Sequence, residues 1–366
     1  MKILSILHRW SGGLIGLLLV VLGLSGTILL WEGSWIGVPG ARDPAVENIA
    51  QMTAIADKAF SAGATRVTFA GEELGLHAIG MKGGAGAYVN QAGETAASWS
   101  SQWERPELWI FDLHHHLFAG ENGEMAAGIA GLFGLAFVVT GSILWWRSRR
   151  TFKLRIWPKP FQPGPIVKTH RDLGIVVAPL LLLTFLTGSG IVFSRSITPV
   201  VLSPFGKMEG RVPPPKVEGD APAKVAVGPM LAQAKARFPN AEIRRMMAPM
   251  KPGGPWSVRL RQPSEWAAGG RTAVWFDGSG KLLRVDDPAA ASRATAIFGT
   301  FLPLHSGKLG LVHKLLMTVS GVALVLLGGL AMWSFWWRRW IHRQSARGRK
   351  YPAAMAASDR SSEAAT

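Results

Sequence analysis

The stretch LHSGKLGLVHKLLMTVSGVALVLLGGLAMWSFWWR (304–338) decides how this chain folds. It opens on Leu304-His305, crosses a long apolar segment and closes on Trp336-Trp337-Arg338. The same order occurs earlier, from Leu113-His114 to Trp145-Trp146-Arg147. In both copies the histidine and the first tryptophan stand 31 positions apart. A second matching pair opens each half. His8-Arg9 and His170-Arg171 each start an apolar run, with Ser25-Gly26 and Thr187-Gly188 at equal distances downstream. The chain is an internal duplication.

Working outward, four segments carry no charge over about 20 residues: 11–31, 125–146, 173–194 and 315–337. About 20 apolar residues at a helical rise of 1.5 Å cross a bilayer core of about 30 Å. The first run has a twin in mid-chain, so it reads as a retained membrane helix and not as a signal peptide. The expected fold is a membrane protein, mainly α, with a four-helix transmembrane bundle made from a duplicated two-helix unit. The expected spans are 1–31, 125–146, 171–194 and 309–337, joined by a short loop at 147–170. Two small α/β domains, at 32–124 and 195–308, lie between the paired helices.

The formal net charge of +17 invites a nucleic-acid partner, but its distribution points to a membrane. The segments before residue 11, at 147–172 and after residue 337 hold 17 Lys and Arg against Asp172, Asp359 and Glu363. Short basic segments stay in the cytoplasm, while long domains translocate largely regardless of charge. Both termini are therefore expected in the cytoplasm, with both long segments outside. The tail at 338–366 reads as basic and, from Arg343, disordered, suited to an anionic inner leaflet. The first outside segment holds 5 basic and 12 acidic residues; the second, from Arg195 to Lys314, holds 18 and 8. The basic one either docks on the acidic one or attracts an anionic ligand.

Within the outside segments, 46–62 and 227–238 have helical spacing. Extended alternation predicts strands at 65–70, 74–81, 243–250 and 256–261, and hairpins at 87–99 and 272–285. The proline-rich 200–222 reads as a linker. In the first helix His8, Gly12, Gly16, Gly23 and Gly26 share one face, which permits close approach of a helix or of a flat ligand. Pro179 is expected to kink the third.

The chain has no cysteine, so disulfides, iron–sulfur clusters and covalently attached haem are excluded. Seven of the nine histidines sit at ends of the membrane helices: His8, His114, His115, His116, His170, His305 and His313. His77 and His342 read as an ordinary domain residue and a headgroup-level residue. Parallel repeats are related by an axis along the membrane normal. His8 then faces His170 at the cytoplasmic level, and His114 faces His305 at the outer level. Two equivalent imidazoles across a twofold axis suit the axial positions of one flat macrocycle, so two bis-histidine haems b are expected. His116 and His313 are alternative outer ligands. A zinc or copper site built from His114, His115, His116 and His305 is the rival. There is no G-x-G-x-x-G after a strand and no P-loop, so electrons must come from a cytoplasmic reductase or a membrane quinol.

His8-Arg9-Trp10, Leu113-His114 ahead of Gly141–Trp146, His170-Arg171-Asp172-Leu173-Gly174 and Leu304-His305-Ser306-Gly307 together resemble the PepSY-associated transmembrane helix family. The outside units resemble PepSY domains, with 273–285 matching their final hairpin. The branch most similar is the di-haem siderophore reductases of the bacterial inner membrane. That resemblance implies reduction of ferric siderophores such as ferrioxamine in the periplasm during iron uptake. The family has one histidine where this chain has three, and His313 is additional to its pattern. A non-redox PepSY membrane protein, sensing an envelope signal or restraining a peptidase, is one alternative function. A siderophore or haem permease is the other.

Overall fold

A computed structural model describes residues 2–210, 212–218 and 225–363, with side chains to Trp340. The first half runs α1 (Lys2–Leu30), α2 (Glu32–Trp35), α3 (Ile49–Ser61), β1 (Arg66–Thr68), β2 (His77–Gly80), β3 (Gly86–Val89), β4 (Thr95–Trp99), α4 (Pro106–His116) and α5 (Gly120–Ser148). The second repeats that order: α6 (Pro163–Val192), α7 (Ile197–Val201), α8 (Val227–Arg237), β5 (Glu242–Met247), β6 (Trp256–Arg261), β7 (Thr272–Phe276), β8 (Leu282–Asp286), α9 (Arg293–His305) and α10 (Leu311–Glu363). The duplication is therefore one of structure as well as of motif.

Four helices are long and apolar enough to cross a membrane, at Lys2–Leu30, Gly120–Thr151, Pro163–Val192 and Leu311–Trp340. Only 17–39% of the most apolar stretch of each is buried, so most of that apolar surface faces outward, as lipid-facing helices require. The protein is a membrane protein. Two boundaries differ from the sequence reading. Pro163 starts α6 eight residues ahead of residue 171, because proline at a first helical position loses no hydrogen bond. The second span starts at Gly120 and not at residue 125. Glu121 is exposed and Glu124 half-buried in its first two turns, where carboxylates are favourable near a helix N-terminus. α6 continues as one helix through Pro179. The backbone of α10 runs on to Glu363 where a disordered tail is expected. It does so through Gly348 and Pro352, which disfavour a helix interior, because extending a formed helix needs no new nucleus. In the expected linker, α7 and a 3-10 turn at Ser203–Phe205 are formed, and residues 211 and 219–224 lie outside the described residues.

The chain divides into two compact units. The first comprises Met1–Leu24, Ala126–Leu186 and Thr318–Thr366. Its core is Leu19, Ala130, Leu173, Val177, Leu181, Phe185, Ala323, Leu324 and Leu327. Part of the predicted glycine face serves helix packing. A Cβ on Gly23 would stand 3.1 Å from the Gly321 carbonyl, and one on Gly328 3.1 Å from the Gly16 carbonyl. Only glycine permits backbones this close.

The second unit comprises Ser25–Met125 and Thr187–Met317. The two outside segments, expected as separate domains, share one antiparallel sheet of eight strands in the order β4-β3-β2-β1-β5-β6-β7-β8. Its centre is the β1–β5 ladder, where Val67 lies opposite Met246. These are equivalent positions, since Ile79 and Val258 face them from β2 and β6. Strand edges left unpaired invite association, and joining the halves through β1 and β5 removes two. α3 and α8 cover one face, with Met52, Ala56, Met230, Leu231 and Ala234 packing on Val67, Met246, Val258, Leu260, Val274 and Phe276. Ion pairs join the halves: Lys235 with Glu47 at 2.7 Å, Arg261 with Glu72 at 3.3 Å and Lys308 with Glu73 at 2.5 Å. Docking thus uses part of the charge asymmetry. Met246→Ala is expected to destabilise this unit by about 2–5 kcal/mol through a cavity at the joint. An unchanged thermal midpoint by tryptophan fluorescence would contradict that placement.

Candidate functional site

In the first unit α1 presents His8 and α6 presents His170, with ring centres 6.3 Å apart. The Nδ1–H of His170 donates to the Leu327 carbonyl at 3.1 Å. The Thr140 hydroxyl donates to the Ala136 carbonyl at 2.6 Å, so its oxygen accepts from the Nδ1–H of His8 at 2.7 Å. Both rings therefore carry their proton on Nδ1 and keep the Nε2 lone pair for a ligand, the arrangement in which a protein group fixes the tautomer of a metal-binding histidine. One helical turn further on, a Cβ at Gly12 would meet nothing within 4 Å, and one at Gly174 only Leu327 at 3.9 Å. Room for a flat group thus adjoins both rings. Asp172, fully buried, holds the 147–162 connection through Arg155, Arg171 and the Lys153 amide.

In the second unit His114 and His305 come from the ends of α4 and α9. Pro106 starts α4 and Leu117, at φ 47°, ends it; Ser292 caps α9 by accepting from the Thr295 amide. The two ring centres stand 6.1 Å apart. Nδ1 of His114 lies 3.1 Å from the Ser25 hydroxyl, and Nδ1 of His305 lies 3.3 Å from that of Thr187. A Cβ on Gly26 would stand 2.8 Å from Cε1 of His114, and one on Gly188 the same distance from Cε1 of His305. The repeated Ser25-Gly26 and Thr187-Gly188 pairs are thus seats for imidazoles: the hydroxyl orients the ring and the glycine admits it.

The remaining histidines are arranged differently. His115 stacks on Phe111 at 4.1 Å, and burial, with His116 and His305 adding, lowers its pKa to about 4. His116 pairs with Asp112 at 3.0 Å. His313 accepts from the Leu309 amide on Nδ1 at 3.3 Å, its Nε2 is buried without a hydrogen-bond partner, and its ring contacts no other histidine among the described residues. His77 is buried and accepts from the Ala70 amide at 3.1 Å. The side chain of His342 lies outside the described residues. Among the described residues no group of three or more His, Cys, Asp or Glu side chains is placed to hold a metal ion, which disfavours the zinc or copper cluster.

An imidazole nitrogen lies about 1.1 Å from its ring centre and binds a metal at about 2.0–2.1 Å, so rings on opposite sides of one ion stand about 6.2–6.4 Å apart. Both pairs meet that spacing. Sequence reasoning missed Thr140 and the Leu327 carbonyl; a lone threonine in an apolar helix was the available signal. It also missed Glu107, which is buried and accepts from Arg105 at 2.7 Å and Tyr88 at 3.1 Å. Near it, burial chiefly, with Glu107 and Glu73 against Lys308, raises the Glu32 carboxyl to about 7.

The sequence profile of the PepSY-associated TM region matches residues 5–339, and the chain belongs to this family. Comparison with curated proteins gives no match.

Glu32 yields a pH prediction. Its folded pKa lies above the ordinary 4.5, so the folded state binds the extra proton and stability falls as pH rises from about 4.5 to about 7. Glu32→Gln is expected to flatten that slope in thermal unfolding between pH 5 and 8; an unaltered slope would exclude the burial.

Proposed function

We propose that this protein is a di-haem b protein of the bacterial inner membrane that reduces ferric siderophores in the periplasm. The observation that carries the reading is the repetition of one arrangement. Two imidazoles face each other at the spacing of a shared ion, once in each unit, and a hydrogen-bonding group of the protein lies at every Nδ1. His8 and His170 would hold one haem, and His114 and His305 the other. When bound, haem b supplies one-electron transfer between its ferric and ferrous states.

The chain's residues bind and orient. Thr140 and the Leu327 carbonyl set the tautomer of one pair. Ser25 and Thr187 support the other, and Gly26 and Gly188 leave its rings room. Both termini face the cytoplasm in this reading. Electrons enter from a cytoplasmic reductase or a quinol and leave to Fe(III) held by the hard oxygen ligands of a siderophore. One electron converts Fe(III) to Fe(II), which suits those ligands less well and sits low in the affinity order. The chelate loosens without an acid or base on the protein.

The purified chain is expected to show a Soret band and two haems by pyridine haemochrome assay. His170→Ala is expected to lose one haem and keep the other; Gly188→Val, which drives a side chain into His305, is expected to lose the complementary one. Dithionite-reduced protein is expected to be reoxidised by a ferric siderophore. Absence of haem would favour a non-redox PepSY membrane protein, and uptake of intact labelled chelate by proteoliposomes would favour a permease.

A further inference from the structure

The two halves of the shared sheet are built alike on the face beneath α3 and α8, yet only one half is filled. The ladders set the equivalences. Ala87 lies opposite Ile79 as Val274 lies opposite Val258. Ser98 lies opposite Ala87 as Val285 lies opposite Val274. The register shifts at the same step in both, after Tyr88 in one half and after Trp275 in the other. Val258, Leu260 and Val274 are buried beneath α8. Their counterparts Ile79, Met81 and Ala87 are only half-buried, and Ser98, the counterpart of Val285, is exposed.

The smaller side chains leave a cavity of about 600 Å³ between α3 and the first half of the sheet. Small residues of both layers line it, Ala59 and Ala62 from α3 and Ala87 and Ser98 from the strands. Protein interiors are close-packed, and recesses of about 300–1,000 Å³ are the size that holds small ligands. Two charged residues also line the cavity, Lys58 and Glu104. The Glu104 carboxylate is taken up within the chain: it accepts from the Ser100 hydroxyl at 2.5 Å and from the Ser100 and Ser101 amides at 3.2 and 3.1 Å. Lys58 is exposed at the rim. The ion pairs of this half engage Glu47, Glu72, Glu73, Glu107 and Asp112 with other partners, and none reaches Lys58 among the described residues. The cavity thus offers apolar walls and one uncommitted cation.

We propose that this cavity binds a small molecule with an apolar body and a single carboxylate, the body lying between α3 and the sheet and the carboxylate meeting Lys58. The second half has no such site, because Val274 and Val285 occupy the equivalent space. The site does not rest on the reductase reading.

Three isosteric probes test it: 2-naphthoate, its neutral amide and the cationic 2-naphthylmethylammonium. Binding to the full-length chain in nanodiscs of zwitterionic lipid is measured by calorimetry, with empty nanodiscs as the blank. Naphthoate is expected to bind most tightly and to weaken as salt is raised. Lys58→Gln is expected to weaken naphthoate about fivefold, the scale of an exposed ion pair, and to leave the amide unchanged. Ala87→Val with Ser98→Val installs the residues of the second half and is expected to abolish binding of all three probes. Lys58 is exposed, so its variant keeps the test open if the filled variant fails to fold. No binding of naphthoate, or equal affinity for the three probes, would overturn the site. Tighter binding of the cation would overturn it too, because Glu104 would then be the recognising charge. Unchanged naphthoate binding in Lys58→Gln or in the filled variant would place the ligand elsewhere and sink the proposal.

Discussion

The arrangement depends on one constraint: an imidazole brought inside a protein must have its Nδ1 accounted for. A buried polar group without a partner costs about 1–3 kcal/mol, roughly twice the net worth of the bond it forgoes. For His8 and His170 the answer is a threonine hydroxyl and a main-chain carbonyl, on helices that face them. For His114 and His305 it is a hydroxyl one residue before a glycine. Each solution fixes ring orientation as well as polarity. The paired glycines follow from the same requirement, because the hydroxyl is within reach only if the next residue lets the ring lie against the backbone.

Much of this was legible in the sequence because the duplication supplies its own control. A single histidine before an apolar run is weak evidence. Four of them at matching offsets, with Ser25-Gly26 and Thr187-Gly188 also in step, define two pairs. The strands and helices of the outside segments were legible from alternation and helical spacing, since one face of the sheet is covered by α3 and α8. What could not be read was how the two outside segments meet. The β1–β5 ladder is a main-chain interaction between segments about 180 residues apart, and nothing in Val67 or Met246 announces it. The orienting carbonyl of Leu327 was invisible for the same reason. The start of α6 was placed at residue 171 because the charge-free run begins at Leu173, while Pro163 was the better signal.

Charge on the second of these segments is used in part for docking on the first. Lys235, Arg261 and Lys308 are spent on the acidic half. Arg245 is not; Arg66, on the first segment, is its equivalent position, each one residue before the central Val67–Met246 pair. The duplication has thus placed like charges beside its own axis. Their partner positions differ: Arg66 faces Gly80, whereas Arg245 faces Arg259. One side of the axis is open and the other is crowded with charge.

The chain's repeats and its compact units do not coincide. Each repeat supplies one imidazole to each pair, and each unit holds one complete pair drawn from both repeats. Neither half of the polypeptide therefore contains a finished site of either kind. A fragment ending in the 147–162 connection would carry His8 and His114 with nothing opposite them, and the other fragment would carry the mirror deficit. The covalent link between the halves keeps four half-sites at fixed stoichiometry, while leaving each copy free to drift from the other wherever the pairing does not constrain it.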